Sequence, residues 1–417
     1  MTDLFCGIDF GTSNSTVALA DRNRAWLIAL EADHPTLPSA VFWDADGAAP
    51  EFGRAALAAY VRGDEGRLMR GLKSTLGSDL IDERTRVGHR SISFKDVLAQ
   101  FFGQLRRQLD AVAPGIDRVV LGRPVHFHDD NPAADAKAER VLADIAQKQG
   151  FRQVAFQYEP IAAALHYEQS VVREELVLVV DIGGGTSDFS IVRVSPDLAQ
   201  VADRAGDILA NDGIRVGGTD FDRLLSLAEV MPHLGYLSPL KGGTGTMPRH
   251  YYLDMATWHR INFLYTGRVL TDLKALGFEA DRPDLIARVA RVVRERSGHR
   301  IAMQVEATKI ALSDAEAVRM ALSDITGGPN PVIRRDAFEA AVNAPAERIR
   351  GAIGAVLAQA GLRAGDIGTV FMTGGASGLP LLRRVVSDAL QGVAIATGDM
   401  LGSVGSGLAL DARRRFG

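Results

Sequence analysis

A chain of 417 residues is too long for one ordinary hydrophobic core, and 47% hydrophobic with 24% charged residues excludes a disordered or fibrous protein. Forty-seven Lys and Arg against 51 Asp and Glu leave a net charge of -4, which argues against nucleic acid or an anionic membrane as partner. The single cysteine, Cys6, excludes an intrachain disulfide and a cysteine-built metal site.

The first residues carry neither a basic stretch nor a following apolar run, and no apolar run is long enough to span a bilayer, so a cytoplasmic protein is expected. Residues 4–9 form an apolar run ending on Asp9. A Gly-Thr-Ser-Asn turn follows, and residues 15–20 return as a second apolar run, which reads as a β-hairpin. Residues 21–100 mix short helical patterns and loops. Val97, Leu98, Phe101, Phe102, Leu105 and Leu109 recur at helical spacing and predict a helix over 94–112. A short buried strand over 118–121 leads into Gly122, Arg123 and Pro124. A helix over 133–149 follows, with Gly150 to end it.

A strand over 154–157 and a helix over 160–167 precede six residues, 176–181, of aliphatic β-former ending on Asp181. Gly183, Gly184, Gly185, Thr186, Ser187 and Asp188 come next, and the chain returns over 189–194. The opening unit has recurred: strand, Asp, one residue, Gly, then Thr-Ser, then strand. Two copies of one supersecondary unit predict two similar lobes that aim acid-tipped hairpins at one shared cleft. Residues 242–246, rich in glycine, read as a flexible loop, and helices are expected over 251–265, 271–276 and 284–296. A strand over 369–373, a turn at Gly374 and Gly375, and a helix over 379–390 restore strand–helix alternation, so the fold class is α/β.

The chemistry sits in the glycine turns. A phosphate needs backbone N–H groups aimed at it and no Cβ in the way. Gly183, Gly184 and Gly185 offer both and tolerate positive φ. Thr186 adds a hydroxyl. Asp181 and Asp188 bring negative charge, which makes sense beside phosphate only with a cation between them, and Mg²⁺ takes its waters to one or two carboxylates. The first loop, Asp9, Gly11, Thr12, Ser13 and Asn14, is weaker alone and gains from the second copy.

Five motifs, in one order and spanning nearly the whole chain, resemble the DnaK-like heat-shock chaperones. Residues 7–15 look like that family's first phosphate loop and 180–188 like its second. Residues 158–164 look like the segment that joins the lobes, 216–222 like the turn after the second lobe's sheet, and 372–380 like the adenosine loop. Residues 122–127, 156–160 and 398–404 look closest to the YegD-like branch of short relatives. The resemblance implies an actin-like ATPase fold of two duplicated ribonuclease-H-like lobes around a nucleotide cleft. Lobe I would run over 1–167, with 37–112 as its peripheral subdomain. Lobe II would run over 168–395, with about 222–300 peripheral, and 396–417 would return to lobe I.

It also implies ATP or ADP with Mg²⁺ as cofactors, lobes that open and close with nucleotide, slow hydrolysis, and a protein partner or co-chaperone. Asp9 and Asp181 would hold the Mg²⁺ waters. Lys73 would neutralise charge on the transferred phosphoryl group, with Glu159 near the metal and Thr186 beside the phosphates. Gly11, Thr12, Ser13, Asn14, Gly183, Gly184 and Gly185 would bind phosphates. Gly217, Gly218, Thr219, Asp220, Glu306, Lys309, Ser313, Gly374, Gly375, Ala376 and Gly378 would bind nucleotide; Glu306, Lys309 and Ser313 share one face of a predicted helix. Pro124 matches a proline the family uses in signalling between lobes.

The adenosine loop departs from the family. Ala376 stands where the family has Ser, and Gly378 where it has an Arg that stacks on adenine, a contact worth roughly 0.5–2 kcal/mol. Weaker nucleotide binding or an altered base preference is expected. No counterpart of the family's peptide-gripping domain is recognised, so peptide binding is not carried over. A sugar or acetate kinase and an actin-like filament former share the same fold and stay open, separable by phosphate transfer to sugars and by ATP-dependent pelleting.

Overall fold

The computed structural model describes residues 3–47, 49–76, 79–87, 90–127, 131–168, 171–198, 201, 203–243, 245–397 and 402–417. Thr244 and residues 398–401, used in the motifs above, lie outside them. The chain divides into two compact units. The first comprises Met1–Arg215, Arg350–Ser377 and Val386–Gly417; the second comprises Val216–Ile349 and Gly378–Val385.

In chain order the first unit opens with β1 (Phe5–Phe10), β2 (Asn14–Ala20), β3 (Ala25–Leu27), β4 (Thr36–Pro38), β5 (Ala40–Asp44), β6 (Glu51–Phe52), α1 (Gly53–Arg62), β7 (Gly66–Arg70), β8 (Arg84–Val87), β9 (Arg90–Ser93) and α2 (Phe94–Val112). It continues with β10 (Arg118–Arg123), α3 (Pro132–Lys148), β11 (Gln153–Tyr158), α4 (Glu159–Glu168), β12 (Glu175–Ile182), β13 (Ser187–Val194) and β14 (Ile208–Ile214). The second unit carries α5 (Gly218–Leu225), α6 (His250–Met255), α7 (Gly267–Glu279), α8 (Pro283–Arg294), α9 (Gly298–Ala311), β15 (Ala317–Arg319), α10 (Ser323–Thr326), β16 (Val332–Arg334) and α11 (Arg335–Ala341). Then follow α12 (Asn343–Ala360), β17 (Thr369–Thr373), α13 (Pro380–Ala389), β18 (Ala394–Thr397) and α14 (Ser403–Phe416).

The first unit contains the duplication. One sheet has the order β11-β10-β1-β2-β3, with β4 also on β2; the other has β14-β13-β12-β17-β18. In each, the first strand pairs antiparallel with its hairpin partner and parallel with a later strand: β1 with β2 and β10, β12 with β13 and β17. The same antiparallel meander and the same parallel extension appear twice, the architecture of the actin-like ATPase fold. One core lies between the first sheet and the helices α2 and α3, where Ile8, Phe10 and Leu121 pack with Phe101, Phe102 and Ile145. Phe10 meets Phe102 edge-on at 5.2 Å. A second core joins both sheets through α4 and α14, with Ile161 and Leu408 among Val120, Val179 and Phe371. Parallel strands buried on both faces need such covering helices, which accounts for their almost wholly aliphatic sequences.

Helix ends follow local chemistry. Ser93 and Asp96 form a capping box at the start of α2. Asn131 caps α3, and Gly150, at φ 95°, turns the chain out of it.

The second unit departs from sequence expectation in two places. The helix expected over 251–265 is two pieces, α6 and a 3₁₀ segment Trp258–Leu264, separated by extended Thr257. The short helix expected over 271–276 is the longer α7, because Thr266 caps it early by accepting the Val269 N–H. The glycine loop near 242–246 is closed at its base by a bridge between Pro239 and Thr246 and by the Leu240 N–H donating to the Gly245 carbonyl at 2.9 Å. Among the described residues no helix is long and apolar enough to cross a membrane.

Candidate functional site

The two acid-tipped hairpins belong to the first unit. Asp9 stands at the end of β1 opposite Thr16, and Asp181 near the end of β12 directly opposite Asp188. Their turns touch: a Cβ on Gly184 would lie 2.0 Å from Ser13 Oγ. Glycine's tolerance of positive φ is not drawn on here, since none of Gly183, Gly184 and Gly185 adopts it. What these glycines supply is the missing side chain, and the turn closes by the Gly183 N–H donating to the Thr186 carbonyl at 2.9 Å. The first turn needs glycine for a similar reason, since a Cβ on Gly11 would lie 2.1 Å from the Asn14 carbonyl oxygen. Ser39 locks that turn: its hydroxyl donates to the Gly11 carbonyl at 2.7 Å and its N–H to the Ser13 carbonyl at 2.8 Å.

A third turn closes over Asp181. Gly374 has φ 84°, and a Cβ there would lie 2.3 Å from Asp181 Oδ1 and 2.5 Å from the Ile182 carbonyl oxygen. Only glycine fits, for space and for backbone conformation. Ala376 follows it into the interior; its side chain is buried and its N–H donates to the Ile182 carbonyl at 3.0 Å. The Ser377 hydroxyl donates back to the Gly374 carbonyl at 2.7 Å, leaving Gly375 as the exposed member of the loop.

Lys73 sits on a 3₁₀ turn, Leu72–Thr75, and its Nζ lies 2.5 Å from Glu159 Oε1. Both side chains are largely enclosed. Burial opposes the charge on Lys73, but Glu159, Asp9 and Asp181 outweigh it and hold the ammonium above its ordinary pKa. Burial, helped by repulsion from Glu159, pushes Asp9 up to about 7 despite Lys73. Burial, with repulsion from Asp188, Glu159 and Asp9, pushes Asp181 up to about 8. Carboxylates therefore outnumber cations in a low-dielectric enclosure, a deficit that a divalent cation fits. Mg²⁺, which keeps several waters and takes them to one or two carboxylates, suits Asp9 and Asp181 on two facing turns. The Thr186 hydroxyl donates to Asp188 Oδ2 at 3.0 Å. Beside Glu159 and Asp181 lies a cavity of about 60 Å³ of mixed lining, walled by Pro124, Val125 and His126, with room for a few waters.

The second unit gathers a separate set. Lys309, buried on α9, reaches Asp222 at 2.8 Å and donates to the Gly218 carbonyl at 3.2 Å. Asp220 accepts the Gly217 N–H at 3.1 Å, forming the start of α5, while Thr219 is exposed. Glu306 lies one turn before Lys309 and is half-buried. Ser313 is not on that helix, as expected from its spacing. α9 ends at Ala311, and Arg335 holds the Leu312 and Ser313 carbonyls, drawing the chain into a turn. Gly378 also belongs to this unit, next to α13.

Besides Ser39, sequence reasoning missed two contributors. Gly122 on β10 lets that strand approach the site, since a Cβ there would lie 3.3 Å from Glu159 Cγ and 3.6 Å from Asp9 Oδ1. Arg123 binds Asp135 at 2.7 Å and Glu139 on α3, donates to the Pro124 carbonyl at 3.1 Å, and lies over the rings of Phe127 and Tyr158. It thereby holds the Pro124 turn and the residue before Glu159. The spacing of Asp135 and Glu139, four apart on one helix face, was the available signal.

A model of the family described as Hsp70 protein matches residues 5–229 and 289–412. The protein named chaperone protein HscA from Citrobacter koseri is 27% identical over 406 residues, which cover 92% of this chain and 54% of that protein. The proteins of the same name from Salmonella typhimurium and Salmonella paratyphi C give the same identity and coverage. The chain thus spans about half the length of the curated relatives it matches.

Proposed function

The chain belongs to the Hsp70 family, and from that premise we propose that it is a chaperone-like switch that binds ATP with Mg²⁺ and hydrolyses it slowly. The observation that carries this reading is the charge excess at the two repeated turns, where Asp9, Asp181 and Glu159 face the single ammonium of Lys73.

Asp9 and Asp181 would hold the cation, which would supply positive charge against the phosphate oxygens. The turns at Thr12, Ser13 and Asn14 and at Gly184 and Gly185 receive the phosphates, with open space at Gly185, where a Cβ would meet nothing. Lys73, fixed by Glu159, neutralises charge that develops on the transferred phosphoryl group, and does so without reorganisation because the pair is already enclosed. Gly217, Gly218, Asp220, Glu306, Lys309 and the turn at Gly374 serve the nucleoside. Lys309 acts there through the α5 turn, whose Asp222 and Gly218 it already binds. Hydrolysis and nucleotide-dependent motion would be handed to a protein partner, as the name of the relatives suggests.

Calorimetric titration of the purified chain with Mg-ATP, beside Asp181→Ala, tests the reading. Binding in the parent that is lost in the variant and on adding EDTA supports it. No binding in the parent overturns it.

A further inference from the structure

The first unit contains a second and larger concavity, distinct from the phosphate turns. It is a cleft of about 1010 Å³ framed by the end of β5, the segment leading to β6, the β8–β9 hairpin and the outer face of α2. Its lining divides into three chemistries. Trp43, Phe52, Val87 and Ile92 are apolar. Gln100 and Gln149 contribute carboxamides. The Trp43 indole N–H donates to Gln100 Oε1 at 3.3 Å, and among the described residues neither the Gln100 amide nitrogen nor the Gln149 side chain makes a hydrogen bond. Asp44, Asp46 and Asp96 bring three carboxylates against one guanidinium, that of Arg107, which is drawn to Gln104 at 2.7 Å and lies over the Phe52 ring at 5.7 Å.

Gly103, in the middle of α2, clears the space. Glycine weakens a helix interior by roughly 0.5–1 kcal/mol relative to alanine, yet here it stands in a helix whose neighbouring core positions are all large. The nearest atom to a Cβ on Gly103 is the Gln149 amide oxygen at 3.1 Å, which belongs to a flexible side chain on the cleft wall. No core contact forbids a side chain at this position; the cleft is what its absence opens.

We propose that this cleft binds a short extended segment of a partner protein in which a bulky apolar side chain is flanked by lysine or arginine. The volume lies at the upper end of that of small-molecule pockets, roughly 300–1,000 Å³, and the cleft is open along its length. A carboxamide presents one donor and one acceptor edge, the complement of a peptide group; Gln149 offers both and Gln100 its donor edge beside an apolar floor. The carboxylate excess selects the basic flank by charge complementarity. The cleft lies within 43–149 and shares no lining residue with the phosphate turns, so the assignment stands apart from the proposed nucleotide reading.

The experiment is fluorescence polarisation of a labelled, end-blocked hexapeptide, Gly-Lys-Leu-Leu-Lys-Gly, titrated with the full chain, beside the same peptide with glutamate in place of lysine. Saturable binding of the lysine peptide is expected, weakened at least ten-fold by Gly103→Leu, which fills the cleft, with the thermal transition retained. Asp46→Lys, at an exposed position, should weaken the lysine peptide at least three-fold and favour the glutamate peptide. Equal affinity for both peptides in the parent, equal affinity in parent and Gly103→Leu, or no saturation overturns the proposal. Self-association of the parent that Gly103→Leu abolishes, measured by sedimentation, would assign the cleft to a second copy of the chain and overturn it as well.

Discussion

Replacing Asp181 by asparagine should stabilise the nucleotide-free protein while removing its affinity for Mg-ATP. Asp181 is held near pKa 8 against an ordinary 3.8 by burial and by Asp188, Glu159 and Asp9. A carboxyl whose folded pKa is raised binds its proton more tightly in the folded state. Its contribution is therefore fully present below about pH 4 and is lost as pH rises through 8. At pH 7 the cost of keeping it protonated, against an unfolded state that would ionise it, spans roughly three pH units at about 1.4 kcal/mol each; relaxation in a polar enclosure reduces this to about 2–4 kcal/mol. Asparagine keeps the shape and carries no charge. At roughly 2 °C per kcal/mol for a chain of this size, the transition of Asp181→Asn should rise by about 4–8 °C at pH 7 and by almost nothing at pH 4. Differential scanning calorimetry without nucleotide, from pH 4 to 8, measures it. A shift independent of pH, or a loss of stability at pH 7, would refute the reasoning. Saturating Mg-ATP should reverse the order, raising the parent transition and leaving the variant unmoved.

Lys73→Met leaves the enclosed Glu159 without its partner and should destabilise the protein by about 3 kcal/mol at pH 7. Glu159→Gln in the same chain should restore most of that, a coupling read by a double-mutant cycle of chemical denaturation. Gly374→Ala should cost at least about 2 kcal/mol and abolish Mg-ATP binding, because its Cβ would meet Asp181 and the Ile182 carbonyl. Gly392→Ala, with a similar φ of 82° but open space around it, should cost only about 1 kcal/mol and leave binding intact. Gly407→Ala would place a Cβ 1.8 Å from the Ala162 carbonyl oxygen, a backbone atom, so α14 must move off α4 at a cost of about 3 kcal/mol. Gly351→Ala, which meets nothing, should be neutral or slightly stabilising in the same thermal scan.

The duplicated hairpins were legible because each combines three local signals: a continuous aliphatic run, an acid at its end, and residues without side chains just after. Asp9 and Asp181 follow from those signals, and so does the antiparallel return of each strand. Hydrophobic spacing likewise located α2, and Gly150 the end of α3. The misreadings arise where local pattern is overruled by a partner distant in sequence. Ser313 keeps helical spacing from Glu306, but Arg335 captures the carbonyls that would continue the helix. The break at Thr257 and the early start of α7 depend on capping and packing in a segment that the family model also passes over, between its matches to 5–229 and 289–412. Ser39, between β4 and β5, and Gly122, on β10, act on the site from elsewhere in the chain, and nothing in their own neighbourhoods marks these roles.

The last link in the fold is the one sequence reading had least means to weigh. α14 packs on β1, β2, β10 and α4, and three glycines make that approach possible. A Cβ on Gly7 would lie 2.3 Å from the Ala409 nitrogen, one on Gly405 2.4 Å from Thr16 Oγ1, and one on Gly407 against Ala162. Gln157, next to Tyr158 and Glu159, donates to Asp411 on the same helix at 3.2 Å. Asp411 is wholly buried and also binds Arg414 and Arg415, so the helix is tied by charge as well as by shape. Since β1 ends beside Asp9 and α4 begins at Glu159, the C-terminal helix packs on the elements that carry two of the carboxylates facing Lys73. The positions of these groups therefore depend on residues 403–416 as much as on the turns that carry them, and a substitution in α14 that preserves folding should be read first at the Lys73–Glu159 pair.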